Sequence, residues 1–261
     1  MTPLDTAPGG TDRRADLGQR LDAVRARISA ATAAAGRTDE PQLVVVTKFF
    51  PAADVRLLHG LGVRDVGENR DQEASAKAAE LGDLELEWHF IGQLQANKAK
   101  SVVRYARAVH SVDRVSLANA LGKAMRRENE RRAERGAEPR AALEALIQVD
   151  LRDAAAAVAD GDGGGPARGG AAPSEVRGLA DKIAATEGLE LRGVMAVAPL
   201  GEDPAPAFDH LARISAELRS EHPQATWISA GMSHDLEQAV AAGATHLRVG
   251  SDVLGPRPPV L

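Results

Sequence analysis

No cysteine occurs in the 261 residues, which excludes disulfides, thiolate metal centres and cysteine nucleophiles. Aromatic residues make up only 3%, with Tyr105 the one tyrosine. That leaves little material for an aromatic-rich obligate interface, and a monomer is expected. No apolar run approaches the length of a membrane span. Charge of basic sign is not in excess: 32 Lys and Arg stand against 37 Asp and Glu, a formal net charge of −5. A general nucleic-acid or membrane-surface binder would show the opposite balance. Residues 1–11 are rich in Pro, Gly and Thr and lack an apolar core, so they read as a disordered start rather than a signal peptide. These absences leave a cytoplasmic enzyme or small-molecule binder.

What is present is organised around Leu43-Val44-Val45-Val46-Thr47-Lys48-Phe49-Phe50-Pro51. A short, mostly β-branched apolar run suits a parallel strand buried on both faces. Pro41 and Pro51 bound it, because proline cannot donate to a ladder. Lys48 therefore stands at the carboxyl end of a buried strand, the edge where α/β folds collect their chemistry. A lysine there can simply reach solvent. If its stem packs among apolar groups, burial lowers its pKa and frees a neutral amine, as Schiff-base chemistry requires.

Strands and helices then alternate. Asp12–Ala35 reads as a helix, with Leu17, Leu21, Val24 and Ile28 at helical spacing. Strands follow at 43–48, 63–67, 86–91, 108–112, 143–149, 189–197, 225–229 and 245–249. Helices are expected from Pro51, at Asp71–Leu81 and Leu94–Tyr105, and from an Asp113 cap to Arg135. Further helices are expected at Pro173–Thr186, Pro206–Ser220 and Ser233–Ala242. Eight strands alternating with helices, after one additional N-terminal helix, predict a single (β/α)8 TIM barrel over residues 12–261. The mixed charge run Lys123–Arg135 has interspersed glutamates and reads as a solvated helix face. Arg152–Ala172, rich in glycine and alanine, reads as a flexible insertion. Its glycines lack the Gly-Lys-Ser/Thr of a Walker loop.

Two strand-to-turn segments could hold an anion: Ser229-Ala230-Gly231-Met232-Ser233 and Arg248-Val249-Gly250-Ser251. Glycine permits close approach of backbone N–H groups, hydroxyls add donors, and strands seven and eight often hold phosphate in such barrels. A rival is a metal centre of His89, His110, His246 and Asp150. Barrel hydrolases of that kind usually carry His-x-His on their first strand, where this chain has Lys48.

Val-Thr-Lys at 46–48, Gly-Glu-Asn at 67–69, Trp-His-Phe-Ile-Gly-Gln-Leu-Gln at 88–95 and His-Ser-Val-Asp at 110–113 carry a resemblance. With Ser-Ala-Gly-Met-Ser-x-Asp at 229–235 and Arg-Val-Gly-Ser-Asp-Val-Leu-Gly at 248–255, they resemble the pyridoxal phosphate (PLP) homeostasis protein family, collinearly from about residue 15. The resemblance implies an alanine-racemase-like barrel that binds PLP without established catalysis. It implies an aldimine on Lys48 and a phosphate held by Ser229, Gly231, Gly250 and Ser251. Asn69 and Met195 would lie near the ring, and Arg248 would approach the pyridine nitrogen or the phosphate. Three departures stand out: Phe50 where the family often has a second lysine, Ala230 in place of a methionine, and a longer 152–172 loop.

Two functions follow. One is a PLP carrier or buffer serving apo PLP-dependent enzymes. The other is an amino-acid racemase, which needs a second acid/base opposite the lysine, commonly a tyrosine. Tyr105 is expected to face away from the mouth, no residues remain for a second domain, and an arginine at the ring nitrogen would weaken the electron sink. Each favours the carrier. Shortening 152–172 to a few residues is expected to leave the melting temperature nearly unchanged, because such loops bury little. A large drop would mean that the loop packs on the barrel.

Overall fold

The computed structural model describes residues 9–152 and 169–257. Eight parallel strands close in sequence order: β1 Gln42–Val46, β2 Asp65–Glu68, β3 Glu87–Phe90, β4 Ala106–Val112, β5 Leu143–Gln148, β6 Leu189–Met195, β7 Trp227–Ser229 and β8 His246–Val249. The seam between β1 and β8 is in register from Gln42↔His246 to Val45↔Val249. This is the (β/α)8 barrel that the alternation predicts. Outward residues such as Val45, Val66, Phe90 and Leu247 join one core under the helices. Their neighbours in sequence, including Val44, His89 and Arg248, turn inward, as the two-residue period of a strand requires. Among the described residues no helix is long and apolar enough to cross a membrane.

The N-terminal helix, α1, spans Gly9–Ala34 and so starts three residues before the expected Asp12. Its stripe of Leu17, Leu21, Val24 and Ile28 is at most 3% exposed. Burying each such side chain stabilises by about 1.5–3 kcal/mol. Polar staples fix its angle. Arg27 bonds Asp252 at 2.6 Å and Glu237 at 3.0 Å, and Arg13 bonds Asp54 at 2.8 Å. The helix thereby straps the seam where the last strand meets the first.

Several boundaries differ from expectation. Leu94–Tyr105 is not one helix; a 3-10 turn at Ala96–Lys98 precedes a short helix, Ala99–Val102. The helix after β4, Val115–Ala133, is preceded by Arg114 and has no side-chain cap, because Asp113 pairs with Arg114 instead. The helix expected from Ser233 begins at Leu236. Of the start expected to be disordered, residues 1–11, the last three belong to α1 and 1–8 lie outside the described residues, as do 153–168 of the loop expected to be flexible, 152–172. The ends of that insertion are ordered. Ala171 is 1% exposed and bridges Val149, donating to Gln148 at 2.8 Å and accepting from Asp150 at 2.9 Å. A shortening that spares stability must therefore fall within 153–168.

The end of β1 is held from behind. Lys77, 6% exposed, donates to the Thr47 carbonyl at 2.9 Å and to Glu68 and Glu73 at 2.7 Å each. Thr47 also donates to Glu68 at 2.7 Å, and Glu73 accepts from the Phe49 amide at 2.6 Å. Phe49 sits at φ 72°, a conformation that costs a bulky residue about 1–3 kcal/mol and needs such clamps to persist. Burial pushes the Glu68 carboxyl above its usual range, although Lys77 pulls the other way. Lys77→Met should leave two nearby carboxylates without their cation. A loss of about 3–5 kcal/mol is expected in urea unfolding. A loss below about 1 kcal/mol would show that the network does not support the fold.

Candidate functional site

The carboxyl ends of the strands form one mouth. Lys48 stands there, two residues past β1 and half-buried, where strand alternation turns its Cβ inward. Its amine makes no salt bridge among the described residues and lies 5.9 Å from the Phe49 ring centre. Burial pushes the Lys48 pKa down, and the Arg257 and Arg70 charges add to this against the opposing pull of Glu68. Arg70 and Arg257 themselves lie 5.3 and 4.8 Å from the centre of the same Phe49 ring. Neither arginine had a signal in the sequence, since nothing in spacing placed residue 257 beside residue 48. Phe50, at the family's second-lysine position, is 7% exposed and packs in the outer core with Arg13 over its ring.

Asn69 follows β2, and its Oδ1 is buried with no hydrogen-bond partner among the described residues. Gly92 explains how the neighbouring loop passes so close: a Cβ there would lie 2.3 Å from the Asn69 carbonyl oxygen. Met195, 2% exposed, ends β6 in register with Ser229. A cavity of about 350 Å³ opens between Met195, Arg248, Ile91, Gln148 and the Asp150-Leu151-Arg152 segment. Of the eight residues singled out in the sequence, Met195 and Arg248 line it. Lys48 and Asn69 occupy the β1–β2 sector of the mouth. Arg152 and Gly169, from the ordered ends of the insertion, also line this cavity and were not foreseen.

The turns after β7 and β8 meet. Ser233 Oγ lies 3.0 Å from Ser251 Oγ. Gly231 has φ 87°, and a Cβ there would lie 2.6 Å from that of Ala239, so packing and backbone both require glycine. A Cβ on Gly250 would approach the Val46 carbonyl to 3.1 Å. Ser229 differs from expectation. Its hydroxyl is fully buried, 2.8 Å from His110 Nδ1, and accepts from Arg248 Nη1 at 2.6 Å. It faces into the barrel and supports Arg248, rather than turning out toward the mouth.

Arg248 is 4% exposed, and its Nη2 donates to the Ala196 carbonyl at 2.8 Å. Among the described residues it has no carboxylate partner in a salt bridge, and burial lowers its pKa to about 10. It remains charged at neutral pH, a cation inside the barrel next to the cavity.

The three histidines do converge, with ring centres 5.0–6.4 Å apart. They lie in the barrel interior and bond to Asp65, Ser229 and Thr245, while Asp150 is held by Arg152 at 2.6 Å. The expected metal site with Asp150 is therefore not formed. The described group that could gather round a metal ion is Asp181, Glu221 and His222, remote from the mouth. Tyr105 packs outside the barrel against Trp88, its hydroxyl 3.5 Å from Asp71, and burial pushes its phenol up.

Comparison with known proteins gives a consistent result. The family described as "Alanine racemase, N-terminal domain" matches residues 19–258. The pyridoxal phosphate homeostasis protein of Mycobacterium tuberculosis is 44% identical, over 94% of this chain and 95% of its own. That of Escherichia coli is 33% identical, over 93% and 97%. The structure of PipY from Synechococcus elongatus with PLP bound superposes with a TM-score of 0.73 at 33% identity, covering 92% of this chain and all of PipY. Alanine racemase from Corynebacterium glutamicum shares the fold at a TM-score of 0.62 and 14% identity, with 60% of its length matched. With the family match spanning nearly the whole barrel and relatives this similar over their full length, the chain belongs to the pyridoxal phosphate homeostasis proteins, within the alanine racemase N-terminal domain family.

Proposed function

We propose that this protein binds pyridoxal 5'-phosphate through Lys48 and holds and releases it in cytoplasmic PLP homeostasis, without turning over amino acids. The reading is carried by two cationic groups at one barrel mouth, each without a carboxylate partner in a salt bridge among the described residues: the half-buried Lys48 amine and the buried Arg248 guanidinium. A buried charge without an ion-pair partner is costly, and a site that receives an anionic ligand offsets that cost. The names of the relatives and the PLP-bound PipY structure support the same ligand.

The residues present fit that ligand. When bound, PLP supplies an aldehyde that a neutral amine attacks, a C=N bond forming as water leaves, in a reversible reaction. Lys48 is the amine, and desolvation with the charges of Arg257 and Arg70 favours its neutral form. Asn69 brings a buried, unpartnered Oδ1 to the mouth, and Met195 brings an apolar wall. The Gly231 and Gly250 turns, linked through Ser233 and Ser251, bring backbone and hydroxyl donors toward a phosphate. Ser229 acts by holding Arg248. Tyr105 lies outside the barrel, which supports a carrier rather than a two-base racemase. A single barrel domain over residues 12–261, acting as a monomer and passing PLP to apo-enzymes, completes the proposal.

Lys48→Ala should abolish the visible imine band and borohydride trapping. Wild-type protein should exchange the Cα proton of alanine no faster than free PLP, yet pass PLP to an apo-enzyme. Multiple turnovers of exchange, lost in Lys48→Ala, would replace the carrier with a racemase-like enzyme. The pH dependence has a definite sign. Only the neutral amine attacks, so the rate of PLP capture rises as Lys48 loses its proton, with a midpoint below that of an ordinary lysine. Arg257→Ala removes a repelling cation and should move the midpoint up. Stopped-flow absorbance against pH reads both; a wild-type midpoint at or above the ordinary lysine value contradicts the assignment.

A further inference from the structure

The barrel interior holds a polar chain of three residues, Asp65, His89 and His110, that the site above does not use and that leads to its Ser229 and Arg248. Asp65 at the amino end of β2 accepts from Gln42 at 2.5 Å and lies 2.9 Å from His89 Nε2. His89 Nδ1 lies 2.8 Å from His110 Nε2, and His110 Nδ1 lies 2.8 Å from Ser229 Oγ. Ser229 Oγ in turn accepts from Arg248 at 2.6 Å. His89, His110, Ser229 and Arg248 are at most 4% exposed. The chain thus crosses the barrel from the end opposite the mouth to the guanidinium beside the mouth cavity.

With both imidazoles neutral, elementary donor and acceptor chemistry gives this chain one polarity. Guanidinium N–H groups only donate, and an ionised carboxylate only accepts. The Asp65 carboxyl is burdened by burial but held below its usual range, first by the hydrogen bond from His89, so it is ionised at neutral pH. His89 must then carry its proton on Nε2, and its Nδ1 accepts. His110 donates from Nε2 to His89 and accepts at Nδ1 from the Ser229 hydroxyl. Ser229 is left with lone pairs for Arg248. Burial first, with the Arg248 charge beside it, pushes His110 well below its ordinary pKa, so it stays neutral. The charged and titratable groups that face the pair are Asp65 from β2 and His246 and Arg248 from β8, while Arg107 from β4 and Arg192 from β6 act on His246. Arg107 and Arg192 are both engaged by Glu144, at 2.9 and 3.6 Å. His246 is pushed down to about 3 by burial first and by His89 next, and adds no charge at neutral pH.

We propose that His110 and His89 are positioning residues for cofactor binding: as neutral Nε2–H tautomers they orient the Ser229 hydroxyl, which fixes the Arg248 guanidinium at the mouth. The inference rests on the PLP-binding reading for its effect, and on the hydrogen-bond chain alone for its tautomers. If His110 acts through Arg248, its loss matters only while Arg248 is present. A contact made by packing alone would not show that dependence.

The test has two arms. In cofactor-free wild-type protein, 15N NMR of the imidazoles should show His89 and His110 neutral with pyrrole-type Nε2 and pyridine-type Nδ1 at pH 7. A protonated ring, or a proton on Nδ1 of either ring, overturns the chain. In the second arm, PLP affinity is titrated by absorbance in a double-mutant cycle. His110→Leu should weaken PLP about tenfold, the scale of one buried hydrogen bond to a charged group. His110→Gln, whose amide can accept and donate, should recover part of the loss. In an Arg248→Met background, His110→Leu should cost less than about twofold more. An equal tenfold loss in both backgrounds, or none in either, overturns the positioning role. Wild-type protein that binds no PLP would defeat the functional reading instead, and the NMR arm would still decide the tautomers. Should His110→Leu fail to fold, Ser229→Ala takes its place in the same cycle, with the same outcomes.

Discussion

A guanidinium inside a β-barrel with no carboxylate in a salt bridge to it among the described residues is the constraint around which the mouth is built. Burial of Arg248 would be prohibitive if its N–H groups were also left without partners. Ala196 and Ser229 supply neutral acceptors, and neither cancels the charge. The positive charge is thus kept in a medium of low polarity, where it acts on a ligand more strongly than it would in water. That requirement reaches down the barrel, because Ser229 needs His110, His110 needs His89, and His89 needs Asp65. An interior that in many barrels is filled with branched aliphatic residues is here partly given to a directed polar chain.

Lys48 is governed by the opposite arrangement. Its own amine makes no salt bridge among the described residues, while the backbone on either side of it is clamped by Lys77 and Glu73 from helix Asp71–Glu80, with Glu68 at the end of β2 holding Lys77 and the Thr47 hydroxyl. The clamp holds Phe49 at a positive φ and gathers Arg70 and Arg257 around its ring. Support of the strand end is thus separate from the amine, which is not tied into an ion pair among the described residues. That combination suits a group that must capture a ligand and later release it. Two cations close to an amine also favour its neutral form without complete burial.

Periodicity and turn residues made the architecture legible. The run Leu43–Val46, the helical stripe of α1 and the alternation of strand-like with helix-like stretches are local signals, and the barrel follows from their count and order. Helix ends were less legible. Asp113 looks like a cap in sequence, but its carboxylate found Arg114. Ser233 looks like a helix start, but it bonds across to Ser251 and the helix waits until Leu236. Both depend on which partner is nearest in space, and sequence spacing does not report that.

The sequence by itself determined the strand that carries Lys48, the closed parallel barrel, the two glycine turns and the membership of a PLP-binding family, because each is written in contiguous residues. Only the tertiary structure decided what the inward-facing polar residues do. The histidines that could have been read as metal ligands are instead links between Asp65 and Arg248, and Ser229 faces into the barrel rather than the mouth. Arg70, just after β2, and Arg257, near the C-terminus, both lie against the Phe49 ring. The physical reason is the same in each case. Hydrogen bonds and charges act over a few ångströms, and which groups come that close is settled by closure of β8 on β1, not by distance along the chain.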